Sequence, residues 1–102
     1  MQQEIVSVVF SFIKPECVNN AIQTYQEAAE NKEILKGCLD LQIFKKINCP
    51  NEFMIVSKWT SIEARDKHLK SEYFKNALVK LKQYRESDPI MSNFIQLRKS
   101  NR

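Results

Sequence analysis

The sequence predicts an α+β domain in which one four-stranded antiparallel sheet carries helices on a single face. Four segments show the two-residue alternation of strands, and the segments that follow the first and third strands repeat apolar residues at helical spacing. The resulting order, β-α-β-β-α-(α)-β, is the split βαβ or ferredoxin-like arrangement. A chain of 102 residues has room for one such domain, which we place at residues 1–98, before a short basic tail at 99–102.

The first strand and first helix follow from local signals. Residues 4–13 alternate with apolar residues on both faces, so both faces of this strand should be covered. A helix is expected to begin at Pro15, since proline suits the first helical position, and to continue to about Lys36. Gly37, the one glycine of the chain, stands where a helix end needs a left-handed residue. The buried stripe of this helix is predicted to be Val18, Ile22, Tyr25 and Ala29.

The middle of the chain predicts a hairpin followed by two helices. Residues 38–45 and 53–59 read as strands joined by a turn. Thr60 is the expected cap of the next helix, with Glu63 completing a capping box, and this helix should end near Lys70. A further helix is expected to start at a Ser71 cap, with a buried stripe of Phe74, Leu78 and Leu81.

The last predicted strand covers residues 90–97 and is apolar on both faces, like the first strand. Helices cover only one side of a sheet of this kind, so its other face would be too apolar to lie against water. A domain of this size also gains buried area by pairing with a partner. We therefore expect a homodimer in which two sheets pack face to face.

The cellular setting follows from what the sequence lacks. No stretch reaches the about 18 apolar residues that a membrane helix needs, and the N-terminus lacks the basic start of a signal peptide. Cys17, Cys38 and Cys49 are an odd number without C-x-x-C spacing, which favours reduced thiols and no metal site. Cys17 lies in a first helical turn that could favour a thiolate, but a spectator thiol also fits it. The sequence predicts a cytoplasmic protein that does not enter a membrane.

The net charge of +4 leaves open a nucleic-acid partner. Residues 63–86 hold seven basic and four acidic residues, and residues 90–102 hold three basic residues and no acidic one. No groove-reading or base-stacking motif accompanies these charges. We interpret them as a solvated face and a frayed tail, and expect no nucleic-acid partner.

Four pieces of the chain together form a distinctive pattern. They are an opening strand that ends in Lys14-Pro15, Gly37-Cys38-Leu39 before the second strand, Phe53 leading to Trp59 in the third, and Trp59-Thr60-Ser61-Ile62-Glu63-Ala64 followed by His68, Ser71 and Phe74. The spacing of Trp59, Ala64, His68 and Phe74 is the most specific part. With this pattern the chain resembles the antibiotic biosynthesis monooxygenase family of dimeric α+β barrel proteins.

The resemblance implies a dimer with one cavity per subunit, between its sheet and its helices. The family includes small oxygenases that oxidise quinols, anthrones and related phenols without metal or flavin, heme-degrading enzymes, a quorum-signal processing enzyme, and members without a known activity. For this chain the resemblance implies a monooxygenase-like protein without a cofactor that acts on a small aromatic molecule. It places His68 by the cavity as the catalytic residue, a base or an orienting donor.

Two side chains of the pattern have chemistry that suits such a substrate. The free pKa of histidine, about 6.5, suits proton transfer near neutrality, and Trp59 offers a flat stacking surface. The other expected substrate-binding residues are Phe74, Leu78 and Asn93. Further wall residues are expected from Phe10 or Val9 and from Tyr73.

His68 and Trp59 also have purely structural explanations. Trp59 ends a strand beside the core, where packing alone accounts for a tryptophan. His68 shares a helix face with Ala64, whereas Ile62 and Leu69 share a different one, and spacing does not say which face looks inward. On the outer face His68 would be a surface or capping histidine.

One branch of the family fits this sequence poorly. Heme degradation in this family needs an asparagine in the first strand and an axial histidine in the later helix. Alignment around Lys14 and around Lys70-Ser71 puts Val8 and Leu78 at those positions. Valine has no hydrogen-bonding side chain and leucine no ligand atom, so heme degradation is not expected.

Three functions remain in competition at this level. The first is a cofactor-independent monooxygenase that uses His68 and Trp59. The second is a small-molecule binding or interaction module of the same fold without chemistry. The third is an isomerase or another proton-transfer enzyme that uses His68. If His68 points into a closed cavity, the enzymatic functions are favoured; if it points to solvent, the binding module is favoured.

Overall fold

The computed structural model describes residues 3–31 and 35–98, and it confirms the predicted α+β fold. The elements are β1 (Ile5–Phe12), a short 3-10 helix (Pro15–Cys17), α1 (Val18–Glu30), β2 (Cys38–Lys45), β3 (Glu52–Trp59), α2 (Ile62–Leu69), α3 (Glu72–Tyr84) and β4 (Ile90–Phe94). The four strands form one sheet in the order β2-β3-β1-β4, with every neighbouring pair antiparallel. This is the ferredoxin-like arrangement. The basic tail at 99–102 lies outside the described residues.

The strand register divides the sheet into two faces. Ser7 on β1 lies opposite Ser57 on β3 and Asn93 on β4, and these residues belong to the face that the helices cover. Val8 lies opposite Val56 and Ser92 on the other face, because successive side chains of a strand alternate. We call the second one the open face; its apolar residues are Val6, Val8, Phe10, Phe12, Phe44, Met54, Val56, Ile90 and Phe94.

The hydrophobic core lies under α1. Ile13, Ala21, Tyr25 and Phe53 are buried there in one cluster. The Tyr25 and Phe53 rings meet edge to face, with centroids 5.6 Å apart. The predicted stripe of α1 is correct at Tyr25 but wrong at Ala29, which is exposed.

The first helix differs from its prediction at both ends. It begins with a 3-10 turn at Pro15, and α1 ends at Glu30 rather than near Lys36. Asn31 already has an extended backbone, and residues 35–37 form a turn. Gly37 does have the predicted left-handed conformation, with φ of 83°, but in the turn before β2. A Cβ atom there would come within 2.8 Å of the Ala64 Cβ.

The caps of the later helices are a mixture of confirmed and corrected predictions. The cap of α2 is Ser61, whose Oγ accepts a hydrogen bond from the Ala64 N–H at 3.1 Å; the prediction of Thr60 is wrong by one residue. The Thr60 N–H donates instead to the Gly37 carbonyl oxygen at 2.9 Å. Ser71 caps α3 as predicted, through the Phe74 N–H at 3.2 Å. The last strand ends at Phe94, three residues earlier than predicted.

Candidate functional site

A cavity of about 180 Å³ lies between the covered face of the sheet and the three helices. Its floor comes from alternate residues of the four strands, and its roof comes from α1, α2 and α3. Most of the lining is apolar. The lining residues include Ser7, Val9, Ser11, Tyr25, Ser57, Trp59, Arg65, His68, Leu69, Tyr73, Phe74, Leu78, Arg85 and Met91.

Three rings form a row along one wall of this cavity. The centroids of Trp59 and His68 lie 5.0 Å apart with a 35° angle between the planes. His68 and Phe74 are 5.1 Å apart with a 58° angle. His68 is half-buried between the other two rings. Since the row lines the cavity, a planar aromatic molecule inside would find flat surfaces to pack against.

The orientation of α2 decides what reaches the cavity. Arg65, His68 and Leu69 follow the i, i+3, i+4 spacing of one helix face, and all three line the cavity. Ile62, which the sequence spacing groups with Leu69, is exposed instead. His68 therefore lies on the inner face, which was the open question at the level of sequence.

Trp59 both packs in the protein interior and lines the cavity. It is 3% exposed and its Nε1 donates a hydrogen bond to Ser57 Oγ at 2.9 Å. Its indole N–H is thus engaged within the protein, and the ring lines the cavity. The contribution that remains for a ligand is the ring surface rather than the N–H donor.

The structure brings together most of the residues that the sequence singled out. His68, Trp59, Phe74 and Leu78 line the cavity, as do Val9 and Tyr73. Asn93 lies on the covered face at the exposed strand β4, where its Oδ1 accepts a hydrogen bond from the Ser7 Oγ at 2.9 Å. Asn93 is therefore connected to the cavity by its hydrogen bond to Ser7, which lines it. Phe10 lies on the open face, away from the cavity.

Arg65 is the site residue that sequence reasoning missed. Its side chain is almost fully buried, yet we interpreted the basic residues of 63–86 together as a solvated face. Arg65 and Arg85 instead line the cavity. A signal was present, because Arg65 lies three residues before His68 and so shares its helix face.

Polar groups on the floor of the cavity are paired within the protein. The Tyr25 hydroxyl donates to Ser11 Oγ at 2.7 Å. Burial raises the pKa of Tyr25 above its ordinary value, against the smaller opposite effect of the Ser11 hydrogen bond. Both hydroxyls are therefore neutral near pH 7, and the ionisable groups left in the described lining are His68, Arg65, Arg85 and Tyr73.

Val8, the first-strand position that the sequence alignment matches to the asparagine of heme-degrading enzymes, does not line the cavity. Val8 belongs to the open face, whereas its neighbours Ser7 and Val9 line the cavity. Leu78 does line the cavity, on α3. Within residues 3–31 and 35–98, no three His, Cys, Asp or Glu side chains lie close enough together to hold a metal ion.

Solved structures of similar fold span the whole domain. An antibiotic biosynthesis monooxygenase aligns with a TM-score of 0.84 at 21% identity, covering 92% of this chain and 99% of its own. A protein from Bacteroides thetaiotaomicron, described as of unknown function and a possible oxidoreductase, aligns with a TM-score of 0.83 at 19% identity, covering 94% and 100%. A Shewanella oneidensis protein aligns with a TM-score of 0.83 at 20% identity, covering 94% and 93%. At these identities the likeness shows the fold.

Comparison by sequence gives a family assignment. Among curated proteins, none matches this chain. The family model described as antibiotic biosynthesis monooxygenase matches residues 5–80, from the start of β1 into α3. That match includes the ring row of Trp59, His68 and Phe74. The chain belongs to the antibiotic biosynthesis monooxygenase family.

Proposed function

We propose that this protein is a monooxygenase that oxidises a small electron-rich aromatic molecule, such as a hydroquinone, in the cavity between sheet and helices. The observation that carries the proposal is the ring row of Trp59, His68 and Phe74 in the wall of an apolar cavity. A cavity of roughly 150 Å³ can hold a benzene ring. The volume of about 180 Å³ therefore favours single-ring hydroquinones and catechols over three-ring anthrones.

The proposed reaction needs no reductant besides the substrate. A hydroquinone that loses a proton becomes a phenolate, which is electron-rich enough to reduce oxygen. In the overall reaction hydroquinone and O₂ give hydroxyquinone and water: one oxygen atom enters the ring and the other leaves with two hydrogen atoms. The four electrons that O₂ gains all come from the ring. We propose that the protein supplies the water-poor pocket, the ring surfaces and the base, and that no cofactor takes part.

His68 is the proposed base. Its ring lies in the cavity wall, and histidine changes protonation near neutral pH. Trp59 and Phe74, on either side of it, would hold the substrate ring, and Leu78 would close the pocket from α3. Asn93 would not touch the substrate directly. It would orient the Ser7 hydroxyl, from which its Oδ1 accepts a hydrogen bond.

Oxygen uptake by the purified protein with hydroquinones and catechols, in the presence of a chelator, tests this function. His68→Phe keeps an aromatic ring between Trp59 and Phe74 but removes the ring nitrogens. Lys67→Gln, on the exposed side of the same helix, is the control. We expect uptake above the autoxidation blank, a loss of about a hundredfold in His68→Phe, and no change in Lys67→Gln. Uptake that is equal in wild type and His68→Phe would remove His68 as the base.

A binding module and a proton-transfer enzyme are the alternative functions. Both are compatible with the cavity, and His68 on its inner face favours the proton-transfer enzyme over the binding module. Because the chain has a single tryptophan, quenching of Trp59 fluorescence would report a ligand in the cavity. Saturable quenching by hydroquinone without oxygen uptake would favour these two alternatives over the monooxygenase.

We further propose that the open face of the sheet packs against a second copy of the chain. Phe10, Phe44, Ile90 and Phe94 on this face are each 38–56% exposed in the single chain. Such a contiguous apolar surface on a small domain indicates an interface. The homodimer would leave both cavities on the outer, helix-covered sides.

The location proposed for the protein is the cytoplasm. All three cysteines are free and half-buried, which fits a compartment that keeps thiols reduced. None of the helices in the described residues is both long and apolar enough to cross a membrane.

A further inference from the structure

Arg65 carries a positive charge into the wall of the cavity. The residue is 8% exposed, and its guanidinium lies beside the floor of the sheet. An arginine side chain stays protonated at any pH that a protein tolerates, so the charge cannot be removed by burial. A buried charge is costly unless it is paired, so the groups around Arg65 decide what the site will accept.

The protein compensates this charge incompletely. Arg65 Nε donates to Ser7 Oγ at 3.2 Å, and Nη2 lies 2.8 Å from the Met91 sulfur. A hydroxyl is neutral and a thioether is a weak acceptor. The one salt bridge of Arg65 among the described residues joins Nη1 to Asp66 Oδ1 at 3.3 Å, and the Asp66 side chain is 51% exposed. Solvent screens an acid in that position.

The rest of the lining adds positive charge rather than cancelling it. Arg85 also lines the cavity, and its partner Asp88 is exposed to solvent, with 3.3 Å between Arg85 Nη2 and Asp88 Oδ1. No aspartate or glutamate lines the cavity within the part of the chain that the structure describes. The inner surface is therefore apolar with a positive bias, which favours a ligand with an apolar body and one negative group.

We propose that the ligand of this cavity is an aromatic monoanion whose carboxylate pairs with Arg65 while its ring packs along Trp59, His68 and Phe74. The volume fits one ring with a carboxylate and small substituents. A carboxylate would use the guanidinium donors in a charge-assisted pair, which is stronger than the contacts to Ser7 and Met91. This proposal rests on the proposed function for the location of the site, but not for the oxygen chemistry.

A matched pair of probes tests the charge separately from the ring. The carboxylate is 2,5-dihydroxybenzoate and its neutral counterpart is 2,5-dihydroxybenzamide; both are hydroquinones of nearly equal shape. Binding is measured at pH 7 by quenching of Trp59 and by calorimetry, independently of turnover. We expect wild type to bind the carboxylate at least about tenfold more tightly than the amide, the effect of one charge-assisted hydrogen bond.

Variants of α2 then assign the preference to Arg65. Arg65→Gln is expected to abolish the preference for the carboxylate while amide binding changes little, and Arg65→Lys is expected to retain part of it. Lys67→Gln removes the same charge from the exposed side of the helix and should change neither affinity. If Arg65→Gln fails to fold, the comparison of the two probes on wild type still decides the proposal.

Three results would overturn the proposal. They are a wild type that binds the amide as tightly as the carboxylate, a wild type that binds neither probe, and a folded Arg65→Gln that keeps the carboxylate preference. Oxygen uptake with neutral hydroquinones and no carboxylate preference would contradict this inference and leave the proposed monooxygenase intact. A carboxylate preference without oxygen uptake would support this inference and count against the proposed monooxygenase.

Discussion

Hydrogen bonds between three side chains connect α2 to the strands β1 and β4 under the cavity. Arg65 Nε donates to Ser7 Oγ at 3.2 Å, and the same Ser7 hydroxyl donates to Asn93 Oδ1 at 2.9 Å. Each of these contacts joins residues that are far apart in sequence. The direction in which Arg65 points is therefore determined by the sheet, and its side chain is held in the cavity wall.

The Tyr25 hydroxyl offers a pH-dependent test of the core beside the cavity. Burial raises the pKa of Tyr25 above its ordinary value of 10.0. The folded state thus holds this proton more tightly than the unfolded state. Its contribution to stability is complete below about pH 10 and is lost as the pH rises further. Tyr25→Phe is expected to lower the free energy of unfolding at pH 7 by about 1 kcal/mol, because it removes the donor to Ser11.

The same substitution should also flatten the alkaline limb of the stability profile. Urea denaturation of wild type and Tyr25→Phe at about pH 9 and about pH 11 measures this effect. The difference between the two proteins should shrink at the higher pH. An unchanged difference would show that Tyr25 does not titrate differently in the folded and unfolded states.

Single residues show where sequence reasoning reaches its limit. His68 and Trp59 could be placed at the cavity through the spacing of the family pattern. Arg65 shares the helix face of His68 but was missed, because a charged residue in a basic stretch is usually solvated. Its burial depends on Ser7 and Met91, which lie far away along the chain.

The elements that hold the site are positioned by short-range signals at their ends. Strand alternation predicted the hairpin of β2 and β3, whose observed bounds differ from the prediction by at most one residue. The Ser71 cap of α3 is likewise a local feature. Gly37 suggested an end of α1 near residue 36, but α1 ends at Glu30, and Gly37 lies in the turn before β2, close to Ala64 on α2.

The cap of α2 gives a test at this scale, since α2 presents both Arg65 and His68 to the cavity. Ser61→Ala removes the hydroxyl that accepts from the Ala64 N–H. We expect a loss of about 1 kcal/mol in the free energy of unfolding. Thr60→Ala, at the neighbouring position that is not the cap, should cost clearly less. Chemical denaturation compares the two variants, and an equal or larger loss in Thr60→Ala would contradict the assignment of the cap.

The whole molecule has one face covered by helices and one face open. This asymmetry could be predicted from the sequence, because β1 and β4 carry apolar residues at consecutive positions. The proposed homodimer would bury this face without touching the cavity, so assembly and ligand binding can be tested separately.

A charge at the centre of the open face tests the homodimer. Val8 lies between Val56 and Ser92 on that face, and Val8→Lys would place an ammonium group in the proposed interface. Light scattering at micromolar concentration should give a two-chain mass for wild type and a one-chain mass for the variant. Val79→Lys, on the exposed side of α3, is the control and should remain a dimer. A wild type with the mass of one chain would contradict the proposal.

The proposed monooxygenase activity would transfer one atom of molecular oxygen to the substrate in this cavity. Mass spectrometry of the product formed from a hydroquinone under ¹⁸O₂ tests it most directly, with catalase present and an enzyme-free blank beside it. We expect a hydroxyquinone that carries one ¹⁸O atom, with the other in water, and a product yield that falls in His68→Phe. An unlabelled plain quinone in place of the hydroxyquinone would rule out a monooxygenase.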